Sequence, residues 1–214
     1  MFTRPSTRPR AATASDAATR RENLDGLLAR LRERGAEAHG VALDLADSES
    51  VRAAASEAVA ALGRVEGLVN NASLLGVRRP LADYPMDVWE RVMAVNVTGT
   101  LRLTQAVLPA MSRGAAIVNV TSGAAGRPTW GAYGVSKLAL DGVTRMLRDE
   151  LADREIRCVG VNPGGTRTEM RAAAYPDEDP ATVPHPSSRA GPFIAILAGE
   201  DPGPHVEAAQ WTGG

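Results

Sequence analysis

Ser122-Gly123-Ala124-Ala125-Gly126-Arg127-Pro128-Thr129-Trp130-Gly131-Ala132-Tyr133-Gly134-Val135-Ser136-Lys137 is the stretch around which the chain is organised. The apolar run before it, residues 115–120, reads as a buried strand, and residues 133–151 after it read as an amphipathic helix. Tyr133 and Lys137 are four residues apart, so a helix puts both side chains on one face, one turn apart. An ammonium beside a phenol favours the phenolate, so the spacing predicts a Tyr133 pKa pushed down, toward proton transfer near neutral pH. Ser122, at the strand's C-terminal end, is placed to hydrogen-bond the same substrate oxygen. Tyr and Lys at this spacing are also an ordinary pair on a helix. The strand end, the serine and the glycine-rich turn before them are what make the segment a candidate acid/base site for a carbonyl or an alcohol.

Composition bounds the rest. A chain of 214 residues is long enough for one domain with a substantial core. The formal net charge of −1 gives no reason to expect a nucleic-acid partner. The single cysteine, Cys158, sits in an apolar strand-like run and leaves no disulfide framework. His39, His185 and His205 are scattered, without metal-ligand spacing. No apolar run approaches the roughly 20 residues of a membrane-spanning helix, so a cytoplasmic protein without a membrane partner is expected.

Residues 1–18, rich in Ala, Thr, Ser, Pro and Arg, lack apolar periodicity and read as a disordered tail or one displaced from a longer frame. Residues 19–214 read as one domain. Leu24, Leu27, Leu28 and Leu31 share a helical face stopped by Gly35. Residues 40–45 read as a strand. Asp47 or Ser48 caps a second helix closed by Gly63. Residues 65–70 form a short strand, 86–111 a long helix with Asn96 near its middle, and 156–161 a further strand. A loop opened by Asn162-Pro163-Gly164-Gly165-Thr166 follows, then a Pro- and acid-rich flap at 176–186 and a last apolar helix near 193–197. Strands alternating with helices imply an α/β fold with a parallel sheet covered on both faces. Ligands then sit beyond the strands' carboxyl ends, where Asp44, Asn71, Ser122 and the 164–168 loop all fall.

With those residues in view, the chain resembles the short-chain dehydrogenase/reductase family, whose signature is a Ser followed by Tyr-x-x-x-Lys. The resemblance covers roughly residues 20 to 210. The phrases Asn71-Ala72-Ser73-Leu74-Leu75-Gly76, Trp130-Gly131-Ala132-Tyr133 and 162–174 look most like the YciK-type bacterial branch. The resemblance implies a Rossmann-like doubly wound sheet and an oxidoreductase that moves hydride between a nicotinamide and a small carbonyl or alcohol substrate. It implies Asn96, Ser122, Tyr133 and Lys137 as catalytic residues. Asp44 and Leu45, the Asn71-Ala72-Ser73 run, Tyr133 and Lys137, and Pro163, Gly164, Thr166 and Thr168 would bind NADP or NAD. Asn96 would bend its helix so that a backbone carbonyl holds a relay water. The helices at 86–111 and 133–151 would pack against a second subunit in a homodimer or homotetramer.

Three departures qualify it. Ser73 stands where the family carries glycine. The Ser122–Tyr133 spacing is a residue or two short, which leaves Thr121 as a fallback hydroxyl. The family's opening strand, its Gly-x-x-x-Gly-x-Gly turn and its second strand have no counterpart before Arg21, so the fold is expected to be N-terminally truncated with two strands missing between 41–45 and 65–70. NADP is slightly favoured, with Arg20 or Arg21 as the basic residue for its 2′-phosphate. The alternative is a cofactor-deficient remnant that serves only as a dimerisation or binding module.

Overall fold

In the structure, a computed structural model, residues 10–15 and 21–212 are described. Among the described residues six strands, all paired in parallel, lie in two sheets. The first pairs β1 (Arg10–Ser15) with β2 (Glu37–Ala42). The second runs in the order β3 (Val65–Asn70), β4 (Met111–Val120), β5 (Arg157–Asn162), β6 (His205–Glu207).

β4 shows why the sheet demands cover on both faces. Ala115 and Ile117 point one way, into a core with Ala55, Val107, Leu151 and Cys158. Ala116 and Val118 point the other way, onto Val161, Ile196 and Val206. A strand buried on both faces is a continuous apolar run, the parallel-sheet pattern. The first face is covered by α2 (Ser48–Leu62), α4 (Thr100–Val107) and α5 (Gly131–Glu150), the second by α7 (Gly191–Ala198). In β2, Val41 meets Val51 and Ala54 of α2, while Gly40 faces Leu24 and Leu28 of α1 (Arg21–Glu33) on the opposite side. The Rossmann-like α/β class is the one expected from the sequence.

Its strand count differs. Residues 10–15, inside the stretch read as a tail, form a strand in register with β2, so one of the two strands expected to be missing is present. Residues 1–9 and 16–18 of that expected tail, and Arg20, lie outside the described residues. β2 ends at Ala42 rather than reaching residue 45, although Leu43 and Leu45 remain buried in the loop that follows. Asp47 caps α2, its side chain accepting from the Glu49 amide, and Gly63 closes the helix.

The expected helix over 86–111 is not continuous. It is α3 (Met86–Met93), a π-helical turn Ala94–Gly99, α4, and a tight turn Leu108–Ala110 before Met111 enters β4. The run Val95-Asn96-Val97-Thr98-Gly99 is a poor helix interior, and Pro109 cannot continue the ladder. Gly99 also lets the Leu45 carbonyl approach so closely that a Cβ there would collide with it.

Candidate active site

The strand ends of β3 and β4 are tied by buried amides. Asn70 Nδ2 donates to Asn119 Oδ1 at 2.8 Å and to Thr104 Oγ1 at 3.1 Å, and Asn119 Nδ2 donates to Thr144 Oγ1 at 2.8 Å. A buried polar network with every bond made fixes the register of α4 and α5 on the sheet. The rim above it is thereby held in place.

α5 opens at Gly131, where a Cβ would strike the Tyr84 ring; its absence lets that ring seat beneath the helix start. Tyr133 and Lys137 follow on one face, 7% and 2% exposed. The Lys137 ammonium donates to the Val120 carbonyl at 2.7 Å and lies 5.6 Å from the centre of the Tyr133 ring. Burial brings its pKa from 10.5 down to about 8, partly offset by the negative charge of Asp141 one turn on. Burial also raises the Tyr133 pKa above its ordinary value, against the lowering effect of a hydrogen bond with Ser122. The expectation of a lowered phenol is therefore corrected. Loss of water around the ring is the largest effect on the phenol, larger than any lowering by its neighbours.

Ser122 is the hydroxyl that reaches Tyr133 despite the shorter spacing, and it also accepts from the Ala124 amide at 3.1 Å. Thr121, the fallback, is buried just past the end of β4 with its hydroxyl unpartnered, its methyl occupying the space a Cβ at Gly160 would need. Asn96 occupies the π-helical turn and is 1% exposed. Its side chain accepts from the Leu74 amide at 2.7 Å and donates to the Leu74 carbonyl and to Ser136 Oγ, each at 2.9 Å. It thus ties the loop after β3 to α5.

The remaining candidates line the same rim. Asn71 and Ala72 are exposed, and Ser73 is half-buried. Asp44 is an exposed turn residue whose carboxylate accepts from the Ala46 amide at 2.8 Å, and Leu45 is buried behind it. Pro163 and Thr166 are half-buried, and Gly164 turns the loop with φ of 71°. The Gly164 amide donates to Asn162 Oδ1 at 3.0 Å. Thr168 caps α6 (Glu169–Ala174), its hydroxyl accepting from the Arg171 amide at 3.1 Å.

Two groups were missed by sequence reasoning. Asp141, one turn beyond Lys137, lies 3.6 Å from His205, whose other ring nitrogen is 3.0 Å from Glu207, and Glu207 accepts from Asn162 at 2.7 Å. Burial raises the Asp141 pKa, and the nearby His205 and Arg145 oppose that rise. The i, i+4 spacing from Lys137 could have pointed to Asp141, but nothing in the sequence pairs it with His205. The second group is Trp130, 5.9 Å ring to ring from Tyr133, with Tyr175 and Arg78. It borders a cleft of about 520 Å³ lined by Leu75–Arg78, Thr129, Ala173 and Ala174. No group of three or more metal-ligating side chains and no helix long and apolar enough to cross a membrane occurs among the described residues.

A family model for short chain dehydrogenase matches residues 10–179. The chain is 42% identical over 142 residues to an uncharacterized oxidoreductase of Escherichia coli, YciK, covering 64% of this chain and 56% of that one. It is 40% identical over 154 residues to an inactive 2-(S)-hydroxypropyl-CoM dehydrogenase of Xanthobacter autotrophicus, covering 69% of this chain and 66% of the relative. Among solved structures, a short chain dehydrogenase from Shigella flexneri complexed with NADP superposes with a TM-score of 0.83 at 32% identity, over 92% of this chain and 85% of the other. The chain thus spans less than two thirds of the length of these two curated relatives.

Proposed function

Because the chain belongs to the short-chain dehydrogenase family, we propose that it is an NAD(P)-dependent oxidoreductase acting on a small carbonyl or alcohol, with Tyr133 as the acid/base. The observation that carries this reading is the buried Tyr133 phenol, with the Ser122 hydroxyl near enough to oppose the rise in its pKa and the Lys137 ammonium one turn away.

The nicotinamide end of a cofactor groove fits the residues present. Lys137 has three N–H donors, one given to Val120 and none to any other described residue, which leaves two for ribose hydroxyls. Asn71, Ala72 and Ser73 on one side, and Pro163, Gly164, Thr166 and Thr168 on the other, would flank the ring, with Asp44 and Leu45 toward the adenine. The pyrophosphate end fits less well, since residues 1–20 contain no glycine, whereas phosphate turns use glycine to let backbone amides approach.

The dinucleotide, when bound, supplies or accepts the hydride. Within the chain, Tyr133 Oη donates its proton to the substrate oxygen as negative charge develops there, and Ser122 Oγ hydrogen-bonds the same oxygen. Burial holds the phenol protonated at neutral pH, the form that carbonyl reduction requires of its acid. Lys137, charged below about pH 8, stabilises the phenolate left behind. Asn96 holds the loop that carries residues 71–73, and its backbone carbonyl would hold the relay water. Tyr133→Phe is expected to abolish NADPH oxidation across a carbonyl panel with the fold unchanged by circular dichroism. Retained turnover would refute the assignment.

A second reading has support of its own. Leu138 and Met146, two helical turns apart on α5, are 56% and 63% exposed, an apolar stripe suited to a second copy of the chain in a homodimer or homotetramer. A dimer that binds neither NADP(H) nor NAD(H) up to millimolar concentration would favour a cofactor-deficient assembly module.

A further inference from the structure

Two adjacent arginines follow the loop after β3, and only one of them has an acidic partner. Arg79 pairs with Asp83 at 3.0 Å across one turn. Arg78 pairs with no carboxylate among the described residues. Its guanidinium lies 4.6 Å from the Trp130 ring and 5.1 Å from the Tyr175 ring, and its Nη1 donates to the Ala174 carbonyl at 2.8 Å. Two aromatic faces hold the plane of the cation and one hydrogen bond sets its rotation. The Nε and Nη2 donors, the pair that accepts a carboxylate side-on, have no partner among the described residues.

Arg78 lines the cleft of about 520 Å³ together with Leu75, Gly76, Val77 and Thr129. Trp130, beneath it, is the ring that stands 5.9 Å from Tyr133. The cation is therefore two ring contacts from Tyr133, Arg78 lying over Trp130 and Trp130 facing the Tyr133 ring. The other arginine at this flap, Arg171, stacks on Tyr175 at 3.8 Å but is already paired by two bonds, 2.6 and 2.7 Å, to Glu178.

We propose that Arg78 is the specificity-determining residue of this cleft and selects carbonyl or alcohol substrates that carry a carboxylate, which its Nε and Nη2 bind side-on while the reacting oxygen lies at Tyr133. The inference rests on the oxidoreductase reading for the reaction, but its ligand chemistry stands on Arg78 alone.

The test uses unreactive probes on the full chain without cofactor: tryptophan-fluorescence titration with pentanoate and with its neutral isostere pentanamide. Wild type is expected to bind pentanoate saturably and at least about tenfold more tightly than pentanamide, the size of a charge-assisted bidentate contact at a partly exposed site. Arg78→Met keeps the stem over the rings and should equalise the two probes. Arg78→Lys, which keeps the charge without the fork, should retain only part of the preference. Equal affinities in wild type, or a preference undiminished in Arg78→Met of wild-type melting temperature, would overturn the proposal. Should Arg78→Met melt early, an undiminished preference in Arg78→Lys overturns it instead. The two readings fail separately. Pentanoate preference in a chain with no NADPH turnover sinks only the enzyme, and turnover of neutral carbonyls without pentanoate preference sinks only the role of Arg78.

Discussion

Replacing Lys137 with methionine is expected to stabilise the protein at neutral pH and to lose that benefit as the pH rises. The ammonium is 2% exposed and its pKa falls from 10.5 to about 8 on folding. A tenfold change in proton affinity corresponds to about 1.4 kcal/mol, so holding this charge in the fold costs about 3 kcal/mol wherever both states are protonated. For a base whose folded pKa is depressed, that cost is complete below pH 8. Between 8 and 10.5 the folded state has lost the proton and the unfolded state keeps it, so stability rises with pH; above 10.5 the cost is gone. Methionine removes the charge but leaves the Val120 carbonyl without its 2.7 Å donor, a loss of about 1 kcal/mol. The variant should therefore be about 2 kcal/mol more stable at pH 7 and about 1 kcal/mol less stable near pH 10.5. Urea unfolding of both proteins from about pH 6.5 to 10.5 measures the difference. Other high-pH titrations, such as that of Cys158, largely cancel between the two. A difference that does not change with pH would refute the buried-cation argument.

Asn96→Ala removes three buried hydrogen bonds and leaves both backbone groups of Leu74 unpaired; a destabilisation of about 3 kcal/mol is expected in urea melts, and less than about 1 kcal/mol would show that Asn96 does not anchor this loop. Ser122→Ala removes the one contact that lowers the Tyr133 pKa, so ultraviolet titration of the phenol should move further to alkaline pH, and an unmoved or acid-shifted curve would contradict the contact. Cys158, fully buried with its pKa pushed up to about 12, should react with a disulfide reagent only through unfolding. Its labelling rate at about pH 8 should then rise with urea in step with the unfolded fraction, and rapid labelling in buffer alone would contradict the packing of β5.

Sequence periodicity reached the elements whose burial is local. Asp47 as a cap, β3 and α5 were legible because a cap, an apolar run between turns and a helical stripe are each written within a few residues. β1 was not, because Arg10-Ala11-Ala12-Thr13-Ala14-Ser15 carries no branched apolar residue and becomes a strand by pairing with β2. The π-helical turn was half legible, since the weak helix formers around Asn96 announce a defect but not its kind. At the site, the Tyr133–Lys137 pair follows from spacing, and Ser122 from its place at the end of β4, although its shorter spacing to Tyr133 left Thr121 as an alternative. The direction in which the Tyr133 pKa moves does not, because a neighbouring charge is visible in sequence and the loss of water around a ring is not. Arg78 and Trp130 were unreadable for a similar reason, as their contact joins the loop after β3 to the turn before α5.

The same burial acts on both members of the pair in opposite directions along the pH scale. It lifts the phenol, which is neutral when protonated, and lowers the amine, which is charged when protonated. Below about pH 8 the site holds a neutral acid beside a cation, the arrangement that the proposed carbonyl reduction calls for. Above about pH 8 the cation is lost while the phenol stays protonated, so an alkaline medium weakens the site as a donor before it supplies a base. Asp141 opposes this by raising the Lys137 pKa, and its own charge is held in turn by His205. Burial thus sets the direction of both shifts, and Asp141, one turn beyond Lys137 on α5, tempers that of the amine.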